Sequence, residues 1–124
     1  MKRWTSLVLT TLLVAVGLVS GAGTAQADDS HCPDGYSCFW TGQFYGGSKV
    51  LRGAEWYGRG WQQFDNRKYS VKNRFTNKTI WIYGPQIGYD CGFPGQRADS
   101  VPGGITWFAV GLDCGGRLAR HFVS

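Results

Sequence analysis

Cys32, Cys38, Cys91 and Cys114 are the residues whose type and spacing could do chemistry most directly. Thiols in a small exported domain pair as disulfides, and four of them allow three pairings. We favour the sequential one, Cys32–Cys38 with Cys91–Cys114. Zinc is the rival use of four cysteines, but no C-x-x-C pair is present. Acid–base chemistry has little to work with. His31 and His121 lie near the two ends of the exported part and read as solvated terminal residues, and Glu55 is the sole glutamate. No nucleophile elbow, H-E-x-x-H, P-loop or pair of carboxylates occurs. The chain is not built as an enzyme.

The compartment follows from the first residues. Lys2 and Arg3 precede an apolar run from Leu7 to Val19, and Ala25-Gln-Ala27 is a small-residue cleavage site. Residues 1–27 therefore read as a signal peptide, too short in its apolar part to serve as a membrane anchor. Residues 28–124 read as one small domain, secreted and monomeric. Losing Lys2 and Arg3 takes the basic count from 13 to 11 against 8 acids, leaving a charge of about +3. Those basic residues form no run or stripe, so nucleic acid is excluded as a partner.

The elements that must hold these residues are short strands. Sixteen of the 19 glycines fall after Ala27, together with nearly all the aromatic residues, and helical periodicity is absent. Strands are expected at Ser37–Trp40, Lys49–Leu51, Ser70–Thr76, Thr79–Tyr83 and Ile105–Gly111. Alternation in Thr79–Tyr83 puts Ile80 and Ile82 on one face and Trp81 and Tyr83 on the other. Asn77-Lys78 reads as a hairpin turn, and Ala54–Phe64 as a helical turn or an aromatic loop. Tyr69-Ser-Val71 and Asp99-Ser-Val101 are a weak internal echo.

The pattern Phe39-x4-Phe44-x-Gly46 resembles the aromatic-corner hairpin of βγ-crystallin Greek-key motifs. Asp65-Asn-Arg-Lys-Tyr-Ser70 resembles the loop that accompanies it. With the Cys-Pro-x-Gly-x-x-Cys-Phe opening, the chain is similar to secreted actinobacterial proteins of the Streptomyces metalloproteinase inhibitor type, a peptidase inhibitor family. The resemblance implies an all-β, crystallin-like Greek-key sandwich with a degenerate second motif. Phe39, Phe44 and Gly46 would build the folded hairpin, and Ser70 would bond back to it.

It also implies sites. Asp65 and Asn66 occupy positions that ligate calcium in crystallin-type loops, a use of hard oxygen donors. Tyr69 replaces the ligand hydroxyl and Arg67 and Lys68 add positive charge, so no cofactor is expected. The partner implied is an extracellular protease, met by a rigid loop that loses little entropy on binding. The best candidate is Cys91-Gly92-Phe93, with Gly92–Phe93 as the bond offered, because thermolysin-like enzymes favour a bulky apolar residue just after the scissile bond. Two other readings remain. Trp56, Tyr57 and Trp61 could stack on cell-wall or cell-surface sugars, as in a killer-toxin-like antimicrobial protein. The chain could also be a calcium-binding structural protein of crystallin type.

Overall fold

The computed structural model describes residues 30–116 and 119–124; the expected signal peptide lies outside them. The strands are β1 (Ser37–Trp40), β2 (Lys49–Arg52), β3 (Gln62–Lys68), β4 (Ser70–Asn73), β5 (Thr79–Gly84), β6 (Gly88–Gly92), β7 (Arg97–Ala98) and β8 (Ile105–Gly111). Two 3-10 turns, Gln43–Tyr45 and Ala54–Trp56, lie between them in the described residues. Among the described residues the fold is all-β, and no helix is long and apolar enough to cross a membrane.

Two four-stranded antiparallel sheets result, in the orders β2-β1-β4-β7 and β3-β8-β5-β6. In each half of the chain the fourth strand returns beside the first, while the third crosses to the opposite sheet. β1–β4 and β5–β8 thus follow one path, and each half lends its third strand to the edge of the other half's sheet. This order is consistent with a pair of Greek keys. The second half is complete in topology although its sequence lacks the aromatic–glycine hairpin.

Alternation fills the space between the sheets. Phe39 and Val71 point inward from the first sheet, and Phe64, Ile80, Ile82, Ile105 and Phe108 from the second. Phe39 bridges the layers, its ring centroid 4.8 Å from Phe64 and 5.5 Å from Phe108. Cys32 is bonded to Cys38 and Cys91 to Cys114. The first disulfide lies with Trp40 in a separate small core on the outer face of the first sheet.

Two expectations need correcting. Asn77-Lys78 is not a hairpin turn: β4 and β5 belong to opposite sheets, and the connection crosses between the layers. The echo at Asp99-Ser-Val101 does not open a strand equivalent to β4. It packs against its counterpart instead, with the Val101 N–H donating to the Tyr69 carbonyl at 2.9 Å.

Candidate functional site

The aromatic hairpin forms one residue later than Phe39-x4-Phe44-x-Gly46 suggests. Trp40 and Tyr45 are the packed pair, edge to face at 5.0 Å, while Phe39 serves the inter-sheet core. Gly47 carries the steric demand: its φ is +77, and a Cβ there would fall only 2.2 Å from Thr41 Oγ1. Gly46 is extended. Ser70 clamps the turn: its hydroxyl accepts from the Tyr45 N–H at 2.9 Å and donates to the Gly42 carbonyl at 2.7 Å. Phe44, released from packing, is 67% exposed at φ +52.

Asp65 and Asn66 sit in the bulge of β3, between the Gln63–Trp107 and Lys68–Ile105 pairs. A bulge turns consecutive side chains outward, and Asp65, Asn66 and Arg67 are all exposed. Lys68 turns back in and is buried, its ammonium 2.5 Å from Asn66 Oδ1. Burial, then the nearby Arg52, lowers its pKa. A cation seated on Asn66 would have to compete with that ammonium. Among the described residues no group of three His, Cys, Asp or Glu side chains comes together as a metal site.

Cys91 and Gly92 are not loop residues but the end of β6, paired with Trp81 and Ile80. The Gly92 carbonyl accepts from buried Asn73 Nδ2 at 3.1 Å, and the Phe93 N–H donates to Gln96 Oε1 at 2.9 Å. A Cβ on Gly92 would come within 2.4 Å of the Phe122 ring. The Gly92–Phe93 bond is therefore turned into the protein, although the Phe93 side chain is 39% exposed. The other arm of the same disulfide carries what sequence reasoning missed. Leu112, two residues before Cys114, is 59% exposed. The adjoining Asp113 carbonyl accepts from Trp81 Nε1 at 3.2 Å and Thr79 Oγ1 at 3.4 Å, which holds this stretch from behind.

The histidines do not meet. His31 is exposed. His121 is partly buried, with Nδ1 3.1 Å from a carboxylate oxygen of buried Asp90. Asp90 also accepts from the backbone N–H groups of Cys91, Arg120 and His121. Those bonds make it an anchor for the C-terminal segment, and His121 is a partner in that anchor rather than a solvated end.

With this geometry in place, the chain matches the model of peptidase inhibitor family I36 over residues 25–90. The chain belongs to that family. No curated protein and no solved structure matches it. Membership in family I36 implies a protein that binds a peptidase rather than one that catalyses a reaction. The matched span takes in β1–β5 and most of β6, and it stops short of Cys91.

A peptidase inhibitor of this family also needs its exposed aromatic residues accounted for. Trp56, Tyr57 and Trp61 do not form one patch. Trp56 packs edge to face on Phe108 at 5.4 Å, with the Arg52 and Arg59 guanidiniums each 5.1 Å from its ring. Tyr57 faces Lys78. Only Trp61 reaches the outer face of the second sheet, where it meets Tyr89 at 5.5 Å. Together with Tyr83 and Trp107 these two line an open pocket of about 240 Å³.

Proposed function

We propose that the protein is secreted and inhibits an extracellular protease, with a metalloprotease as the target class. The observation that carries the choice of surface is the placement of Phe93 and Leu112. Each is the first residue past its strand, β6 and β8, and these strands flank β5 on its two sides. Both strands run antiparallel to β5, so the two apolar side chains emerge at one end of the sheet. The Cys91–Cys114 disulfide ties the two arms together there. Two bulky apolar groups on a cross-linked sheet end can enter a cleft at little entropic cost. Within that surface, Gly111–Leu112 is the better candidate bond, since Gly92–Phe93 is engaged internally.

Phe44 is more exposed but has the wrong backbone. A substrate-like segment must lie extended in the protease cleft, and Phe44 and Tyr45 are the non-glycine residues with positive φ among those described. The test is inhibition of thermolysin and of subtilisin by the wild type and by Leu112→Asp, Phe93→Asp and Phe44→Asp. The first two should weaken inhibition at least tenfold, and the third should leave it unchanged. Full protease activity in a molar excess of wild type would overturn the inhibitor reading. Loss confined to Phe44→Asp would move the surface to the hairpin.

A further inference from the structure

The pocket on the outer face of the second sheet serves neither the core nor the protease-facing sheet end. Tyr83 on β5 pairs in register with Tyr89 on β6 and with Trp107 on β8, so the three side chains form one cross-strand row. Trp61, the residue before β3, reaches across to this row, its ring 5.5 Å from that of Tyr89. The rings are tilted rather than coplanar, Tyr83 and Tyr89 at 50° and Trp61 and Tyr89 at 62°, so they make walls around a recess. Trp61 and Tyr89 are exposed and Tyr83 and Trp107 partly so, a contiguous aromatic face of the kind that marks an interaction site.

We propose that this recess binds one ring of a neutral saccharide. Its volume, about 240 Å³, is below the usual size of drug-like ligand sites, which suits a single pyranose. Its chemistry suits one as well. Sugars present apolar C–H faces and a rim of hydroxyls, and the pocket offers ring surfaces with polar tips. Among the described residues, no hydrogen bond within the protein engages the Tyr83 or Tyr89 hydroxyl or the Trp61 or Trp107 indole N–H. Trp81, on the same face, differs in donating to Asp113.

Charge separates this ligand from the other common guest of an aromatic cage, a quaternary ammonium. The recess is lined by Trp61, Tyr83, Tyr89 and Trp107 and by no carboxylate. A cation would find no counter-charge there, and a neutral ring needs none.

The experiment titrates the wild-type protein with chitotriose, cellotriose and tetramethylammonium, followed by tryptophan fluorescence and calorimetry. A saturable response to at least one of the sugars is expected, about tenfold weaker or lost in Tyr89→Ala and Trp107→Ala. The melting temperatures of both variants should stay near wild type, and both should still inhibit protease as the wild type does. No response to either sugar at millimolar concentration overturns the proposal. So does preference for tetramethylammonium, or sugar binding that both variants retain. Loss of protease inhibition in the same variants would assign the face to the protease instead.

Discussion

Trp40 and Tyr45 meet edge to face across the hairpin that joins β1 to β2, with ring centroids 5.0 Å apart. Such a pair contributes about 0.5–1.5 kcal/mol beyond its buried area. The residues around it follow the same register. Phe39 is left for the inter-sheet core, Gly47 takes the left-handed turn and Phe44 is turned out to solvent.

That register is tested by two neighbouring glycines. Gly47→Ala should cost about 2–3 kcal/mol, from positive φ and a clash with Thr41 Oγ1. Gly46→Ala should cost less than about 1 kcal/mol, because Gly46 is extended and its nearest contact is 3.4 Å away. Urea denaturation of the two variants measures both. Equal costs would mean that the turn is not held in this register.

The one-residue ambiguity shows where the sequence ceases to be legible. Phe39-Trp40 and Phe44-Tyr45 are adjacent aromatic pairs with Gly46-Gly47 behind them, so either frame satisfies the spacing. Only non-local packing against Phe64 and Phe108 selects one. Strands with clean alternation, such as Thr79–Tyr83, can be read locally. β3 cannot, because its bulge exposes three successive polar residues, and β7 is only Arg97–Ala98. Leu112 was hidden for another reason. Nothing in Gly111-Leu-Asp-Cys114 marks it until the disulfide and the end of β8 are located. The aromatic recess likewise depends on the pairing of β5 with both neighbours, although Trp81 and Tyr83 already disclosed its face.

Ser70 is buried and joins β4 to the hairpin through two hydrogen bonds, one accepted and one donated. Ser70→Ala would leave the Tyr45 N–H and Gly42 carbonyl short of a partner. A loss of about 1–3 kcal/mol is expected, read from the denaturation midpoint at unchanged m-value. Phe44→Ala, one residue from the same clamp, should change stability by less than about 0.5 kcal/mol.

Alkaline pH isolates Tyr45. Burial first, then its hydrogen bond to Asp99, raises its phenol pKa above the ordinary value of 10.0. With the folded pKa raised, this stabilisation is fully present below pH 10 and is lost as pH climbs through the folded value. Lys68 and Lys72 act in the opposite sense, since burial lowers both below 10.5 and their penalty fades as pH rises towards that value. The comparison is therefore between wild type and Tyr45→Phe, which share the lysines. The wild type's advantage should shrink between pH 10 and about pH 11. A constant gap would show that the phenol titrates alike in both states.

Calcium should do nothing. Lys68 already places an ammonium on Asn66 Oδ1, and Asp65 stands exposed beside it. Millimolar calcium is expected to leave the melting temperature unchanged, with EDTA equally without effect. A rise that EDTA reverses would show Asp65 and Asn66 acting as ligands against this geometry.

The two disulfides should differ in kind, not only in size. The chain-entropy model assigns about 2 kcal/mol to the Cys32–Cys38 loop and about 3.5 kcal/mol to the Cys91–Cys114 loop. Cys32→Ala with Cys38→Ala should therefore lower stability and leave protease inhibition intact, because that cross-link lies with Trp40 on the other sheet. Cys91→Ala with Cys114→Ala should weaken inhibition even under conditions where the variant remains folded. It frees the two arms that carry Phe93 and Leu112, and freedom in a docking surface is entropy that must be lost on binding. The freed arm should also be cut, with mass spectrometry locating cleavage at Gly111–Leu112. Inhibition that survives this double variant at full strength would place the protease-binding surface elsewhere on the protein.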